Sequence, residues 1–383
     1  MGMRIGMLFA AGLLSLAARA GEPQCFDLPC TVEHGKYVVE VETPAGVRRF
    51  AFDTGASRTC ISAALGRELE LAAEGRHSVG DFEGHRATVD RTTVSRLRMG
   101  RATYEKVPVY VFPDSSYVFR CLGLDGIVGG DLLRRWAVRI SAADSTIALA
   151  TDARLLGAVD RRRSMPFSWS GNRPMLRLRV SGGGARMTTF AIFDSGSAAF
   201  FDCRESELQA MERRGILRDL HRTAGYSGNL GWTNRSAAGE ALVAVIPGLE
   251  LAGCELRGER VEVTHGNVSK LGLGVLRWGE AVIDYPRRRF YLLPAATPSP
   301  ARGVSLRGVT ATLVGGRLVV GQVWDEALAG IVAPGDRIVR LGSTDVSQVD
   351  PCAYVRGEIC GDRPEMTVER ADGSLVTVPV RKL

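Results

Sequence analysis

Two short segments put a carboxylate where it could do chemistry. Phe50-Ala51-Phe52-Asp53-Thr54-Gly55-Ala56-Ser57 and Phe190-Ala191-Ile192-Phe193-Asp194-Ser195-Gly196-Ser197 each run an apolar stretch into an aspartate, a hydroxyl residue and a glycine. An apolar strand carries its carboxyl group away from water, which raises the pKa, and a second carboxylate nearby raises one of the two further. Two such groups sharing a proton supply a base and an acid together, enough to activate a water and protonate a carbonyl oxygen. The second copy has Ser197 where the first has Ala56. That difference predicts a hydroxyl bond to Asp194, with Asp194 the more acidic partner and Asp53 more often carrying the shared proton.

One Asp-Ser/Thr-Gly is weak on its own; the register of the two is what discriminates. Asp194 follows Asp53 by 141 residues, and each aspartate is followed at a similar distance by a glycine after apolar residues. Gly126-Ile127-Val128-Gly129 ends 76 residues after Asp53, and Lys270-Leu271-Gly272 ends 78 residues after Asp194. Related tails follow, Leu132-Leu133-Arg134-Arg135-Trp136-Ala137-Val138 and Val275-Leu276-Arg277-Trp278-Gly279-Glu280-Ala281-Val282. The chain therefore reads as two copies of one unit.

The elements that must position these residues are short strands. Tyr37-Val38-Val39-Glu40-Val41, Val107-Pro108-Val109-Tyr110-Val111 and Leu176-Arg177-Leu178-Arg179-Val180 are β-branched or alternating runs bounded by turn residues. Glycine is frequent, 45 of 383 residues, which suits tight turns between strands. One helix is expected from Glu205 to Leu220, where Leu208, Met211, Ile216 and Leu220 fall near one face. After the small, proline-bearing stretch Ala295-Ala296-Thr297-Pro298-Ser299-Pro300-Ala301, a linker by composition, a last segment predicts a small α+β module.

The N-terminus has a basic start, an apolar run from Ile5 to Leu16 and a small-x-small end at Ala18-Arg19-Ala20, which reads as a cleavable export signal. The run is too short to span a bilayer, so no stable membrane span is expected after cleavage, and the mature protein is expected to be periplasmic or secreted. In an oxidising compartment the eight cysteines read as disulfide partners. Pairing within segments is the economical expectation: Cys25 with Cys30, Cys60 with Cys121, Cys203 with Cys254 and Cys352 with Cys360. No C-x-x-C occurs, and the five histidines (His34, His77, His85, His221, His265) have no metal-ligand spacing, so neither metal nor cofactor is expected. The net charge of +7 rests on arginine, with only four lysines. The runs Arg161-Arg162-Arg163 and Arg287-Arg288-Arg289 read as solvated turns, and no nucleic-acid partner is expected.

Taken together, the paired motifs resemble the pepsin/retropepsin superfamily of aspartic peptidases over about residues 30–295. The resemblance implies a mainly β, two-lobed acid-protease-type β-barrel fold, with lobes at residues 21–155 and 156–294 after a signal at 1–20. It implies an aspartic endopeptidase acting on extended polypeptides, with Asp53 and Asp194 as catalytic aspartates holding the nucleophilic water. Thr54 and Ser195 would hydrogen-bond across the lobe junction, and Gly55 and Gly196 would let backbone amides approach the carboxylates. A glycine-bearing hairpin covering substrate would hold Gly80, Asp81, Phe82 and Gly84, with Tyr226-Ser227-Gly228-Asn229-Leu230-Gly231-Trp232 as its counterpart. The chain departs from the pattern at Lys270, where the second lobe's hydrophobic-hydrophobic-Gly element should be apolar, and this leaves either Gly272 or Gly274 as the glycine.

After a linker at 295–303, residues 304–383 resemble a bacterial PDZ domain through Val320-Gly321-Gln322-Val323, Ala327-Leu328-Ala329-Gly330-Ile331 and Pro334-Gly335-Asp336-Arg337-Ile338. Such a domain implies binding of a peptide C-terminus, with the carboxylate loop near Leu306-Arg307-Gly308-Val309. Two other readings compete. A trypsin-like nucleophile turn would need glycine on both sides of Asp194-Ser195-Gly196, where Phe193 and Ser197 stand. A catalytically silent, exported peptide-binding adaptor would keep the cleft without the chemistry; two intact copies of aspartate, hydroxyl and glycine argue against it.

Overall fold

The computed structural model describes residues 23–296, 306–359 and 363–383. The expected signal at 1–20, most of the linker and Cys360 lie outside the described residues.

The chain is mainly β and two-lobed. In the first lobe an eight-stranded sheet includes the antiparallel strands Lys36–Thr43 and Gly46–Phe52, with Val39 opposite Phe50. Their alternating burial puts Val39, Val41, Phe50 and Phe52 into the core. In the second lobe Arg173–Gly182 and Ala185–Asp194 pair in the same manner, Leu176 opposite Ala191. The same core motif follows in both. Phe52 pairs in parallel with Val128, and Asp194 pairs in parallel with Gly272, so each aspartate leaves its strand beside its own downstream glycine. Cys60–Ser62 and Phe201–Arg204 then pack antiparallel to those downstream strands, Cys60 opposite Ile127 and Asp202 opposite Lys270. Gly272 therefore corresponds to Gly129, which settles the choice between Gly272 and Gly274.

A six-stranded sheet joins the lobes. Ala137–Ser141 of the first copy pairs antiparallel with Gly279–Asp284 of the second, Val138 opposite Ile283. These strands contain parts of the two related tails, and their side chains Val138, Ile140, Ala281 and Ile283 are buried in one core common to both lobes.

The helix in the second lobe is shorter than its periodicity predicts. It spans Glu205–Arg213, burying Leu208 and Met211, and Gly215 then turns the chain at φ 68°. Ile216 is still buried, but Leu220 belongs to the following strand, Arg218–Tyr226. A glycine in the left-handed region terminates a helix without steric penalty, so the apolar pattern continues past the end of the element that began it.

The C-terminal segment forms a small module with strands Val309–Val314, Arg317–Val323, Arg337–Leu341, Glu365–Glu369 and Leu375–Pro379 and the short helix Pro351–Val355. It is docked on the lobes. Gly225 of the second lobe pairs with Gln322, and the module's core takes in Tyr117 and Cys121 of the first lobe.

The disulfide pattern differs from the within-segment expectation. Cys121 is bonded to Cys352, 231 residues later, because the helix Tyr117–Arg120 lies against Pro351–Val355. Cys60 is buried opposite Ile127, away from Cys121, and is free. Cys203 and Cys254 are likewise buried and free, the first beside Ser269 and the second on the Leu292 carbonyl. Cys25 and Cys30 are free and face different carbonyls, Leu155 and Ser145.

Candidate active site

Asp53 and Asp194 come together because their loops are locked to each other. The Thr54 hydroxyl donates to the Phe193 carbonyl at 2.8 Å and accepts the Ser195 amide at 3.0 Å. The Ser195 hydroxyl donates to the Phe52 carbonyl at 2.8 Å and accepts the Thr54 amide at 3.0 Å. All four bonds are buried, where an unmade partner is expensive, so each loop holds the other in register.

The glycines bring each loop against the opposite carboxylate. A Cβ on Gly55 would stand 2.3 Å from Asp194 Oδ1, and one on Gly196 would stand 2.7 Å from Asp53 Oδ2. No side chain fits at either position. Within each loop an amide steadies the carboxylate: Gly55 donates to Asp53 Oδ1 at 2.8 Å, and Gly196 donates to Asp194 Oδ1 at 2.9 Å. Ala56 adds a second bond to Asp53 Oδ1 at 3.0 Å.

The two carboxylates are unequal. Asp194 is fully buried, and its Oδ2 takes no hydrogen bond. Burial, then the charge of Asp53, pushes its pKa up to about 7, against the opposing pull of Lys270. This reverses the expectation drawn from Ser197. The Ser197 hydroxyl does not reach Asp194; it donates to Asp202 Oδ2 at 3.3 Å. Without that bond nothing favours the charged form of Asp194 enough to offset its burial, and its pKa stays raised.

The hairpin between Gly75–Gly80 and Arg86–Met99 carries Gly80, Asp81, Phe82 and Gly84 at its turn. Asp81 organises the turn through its side chain, accepting the Glu83 amide at 3.1 Å and the His85 amide at 2.9 Å. The turn rests on the second lobe. The Phe82 carbonyl lies so close to Gly266 that a Cβ there would be 1.7 Å away, and the Phe82 ring covers the Lys270 ammonium at 4.1 Å. Glu83 is buried at the same contact, and burial raises its pKa while Lys270 opposes the rise.

The counterpart stretch in the second lobe crosses the other way. Trp232 stacks on Phe112 at 4.2 Å and donates its indole N–H to the Gly80 carbonyl at 3.4 Å; the Thr233 hydroxyl donates to Asp81. Asn234 accepts the Tyr117 amide at 2.7 Å and donates to the Ser115 carbonyl at 2.6 Å. Each lobe thus contributes a loop that grips the other.

Several residues around the pair were not singled out in the sequence. Arg173 is half-buried and feels the charges of Asp194 and Asp53; burial lowers its pKa, and the two carboxylates oppose that. The Lys36 ammonium donates to the Gly196 carbonyl at 2.7 Å, tying the first lobe to the second lobe's aspartate loop. Tyr285 is buried, which raises its phenol pKa, and feels the charge of Asp53. For Lys36 the hint in the sequence was rarity, since it is one of four lysines in a chain that otherwise uses arginine. Among the described residues no cluster of histidine, cysteine and carboxylate side chains could hold a metal ion. Nor is any described helix long and apolar enough to cross a membrane.

In the module, the proposed carboxylate loop is engaged by the chain itself. Gly308 donates its amide to the Arg381 carbonyl at 2.8 Å, and the Leu306 carbonyl accepts the Leu383 amide at 2.8 Å. The Tyr354 hydroxyl donates to the Ala311 carbonyl at 2.6 Å, joining the short helix to the Val309–Val314 strand.

Residues 39–132, which include Asp53-Thr54-Gly55 and Gly129, match the family model for aspartyl proteases. No curated protein matches the chain. Among solved structures, an aspartic proteinase from Irpex lacteus is similar at 14% identity, over 72% of this chain and 99% of that one, with a TM-score of 0.44.

Proposed function

We propose that the protein is an exported aspartic endopeptidase that hydrolyses extended polypeptides with a water held between Asp53 and Asp194. The observation that carries this reading is the reciprocal approach of Gly55 to Asp194 and Gly196 to Asp53, which brings the two carboxylates to one point, that of Asp194 with a raised pKa. The aspartyl-protease match over the first lobe supports it.

In this reading Asp194 carries the shared proton and Asp53 is the base. Asp53 takes a proton from the water as its oxygen attacks the scissile carbonyl carbon, and Asp194 gives its proton to the carbonyl oxygen. The result is a neutral gem-diol with no covalent link to the enzyme. Its collapse breaks the C–N bond: one hydroxyl proton returns to Asp194, and the proton held by Asp53 passes to the leaving amine. Substrate access requires the hairpin turn at Phe82 to lift from Gly266 and Lys270, since the turn is packed on the second lobe. The module is read as PDZ-like, bound to the lobes through Cys352 and Gln322.

The test compares cleavage of an unfolded protein by wild type, Asp53→Asn and Asp194→Asn across pH, with a statine-type inhibitor as a check. Inhibitor-sensitive activity in wild type that falls at least a thousandfold in both variants is expected. Equal activity in all three would end the reading.

A further inference from the structure

The two copies differ in character at one buried pair. Where the first lobe sets Ile127 opposite Cys60, the second sets Lys270 opposite Asp202. Both are almost fully enclosed, at 4% exposure each, and the Lys270 ammonium meets Asp202 Oδ2 at 3.2 Å. A buried ion pair in place of an apolar contact is costly to assemble and is weak evidence for stability. Its location suggests another role. Lys270 lies two residues before Gly272, the register partner of Asp194, and its ammonium is roofed by Phe82 of the hairpin turn.

We propose that Lys270 is a positioning residue for the aspartate pair: its ammonium, held in place by Asp202, sets the pH range over which Asp53 and Asp194 share a single proton. This rests on the peptidase reading above. Asp202 is the brace, and it is itself oriented by the Ser197 hydroxyl at 3.3 Å. Ser197 thus serves the pair indirectly, through Asp202 and Lys270.

The other charges facing this region are Asp53, Arg173, Glu83 on the hairpin turn, and Glu262, which is paired with Arg260 at 2.7 Å. Burial works against a charged Lys270, but Asp202, Asp194 and Glu83 outweigh it and hold its pKa above the ordinary lysine value, so it is a fixed cation throughout the working range. A fixed cation favours the ionised form of a neighbouring carboxylate. Removing it therefore moves both protonation steps of the aspartate pair to higher pH.

The experiment measures kcat/KM against pH for wild type, Lys270→Met and the double variant Lys270→Met/Asp202→Asn, together with carboxyl carbon NMR titration of aspartate-labelled full-length protein. The double variant also removes the Asp202 charge that the single variant strands, so it retains the fold if the single variant does not. Both limbs of the activity profile, and the NMR titration of the pair, are expected to move up in both variants, by about one pH unit in the single variant and by less in the double variant, which also loses the Asp202 charge. Unmoved limbs and an unmoved titration, even with reduced activity, would overturn the proposal. A shift confined to the single variant would assign it to the stranded Asp202 charge and would also overturn it. If wild type cleaves nothing, the peptidase reading fails, while the NMR titration still decides the role of Lys270.

Discussion

Thr54 and Ser195 exchange four buried hydrogen bonds across the lobe boundary, each hydroxyl reaching the other strand's carbonyl and each amide reaching the other's hydroxyl. The two aspartates are therefore placed by one shared joint, and neither lobe sets its own carboxylate alone. Thr54→Val keeps the shape, removes the hydroxyl and strands the Ser195 amide and the Phe193 carbonyl. It is expected to destabilise the protein by about 2–6 kcal/mol, from roughly 1–3 kcal/mol for each of the two unsatisfied buried groups. Denaturant unfolding measures this. Activity should fall as well, because the joint that sets the separation of the two carboxylates is loosened.

The buried Asp194 makes stability depend on pH. Its pKa rises from the ordinary 3.8 to about 7 on folding, so the folded state holds a proton that the unfolded chain gives up. The protonated group's contribution is complete below pH 3.8 and is lost as pH rises through about 7. Asp194→Asn removes this dependence. Its melting temperature relative to wild type is expected to be unchanged near pH 3 and higher near pH 8. A difference that grew toward low pH would contradict the assignment of the proton.

The Cys121–Cys352 bond closes a separation of 231 residues, tying the first lobe to the terminal module. Cross-links over long loops stabilise mainly by restricting the unfolded chain, typically by about 2–4 kcal/mol. Cys121→Ser/Cys352→Ser, or reduction of the native protein, should lower the unfolding free energy by that amount. Because Tyr117 still inserts into the module's core, the module should stay docked in native conditions, which small-angle scattering would show as an unchanged radius of gyration.

Much of the architecture was legible because it is repeated. The 141-residue offset placed Asp53 and Asp194 in equivalent positions, and the apolar runs before them are the strands that deliver them. What the sequence did not yield are contacts between segments far apart in the chain. Ser197 is adjacent to the aspartate loop in sequence, yet its hydroxyl turns to Asp202, whose position depends on strand pairing with Lys270. Cys121 has Cys60 within its own lobe, but the docking of two short helices decides its partner. The helix expected to Leu220 stops at Arg213 because a single glycine turns the chain, which apolar periodicity cannot register. Lys270 stood out as a departure from an apolar pattern; its meaning came only with the carboxylate opposite it.

The pairing of Ala137–Ser141 with Gly279–Asp284 has a consequence for the halves taken separately. Severed from the other, the first lobe would keep its eight-stranded sheet and the pairing of Ala137–Ser141 with Thr146–Ala150, but the other edge of Ala137–Ser141 would be left bare. The strand it has lost comes from the equivalent place in a related unit and runs antiparallel to it, so a second copy of the same half could lie there in its stead. The intact chain is in this sense a dimer written into one polypeptide, whose two members need not be identical: one has an isoleucine and a cysteine where the other has a lysine and an aspartate.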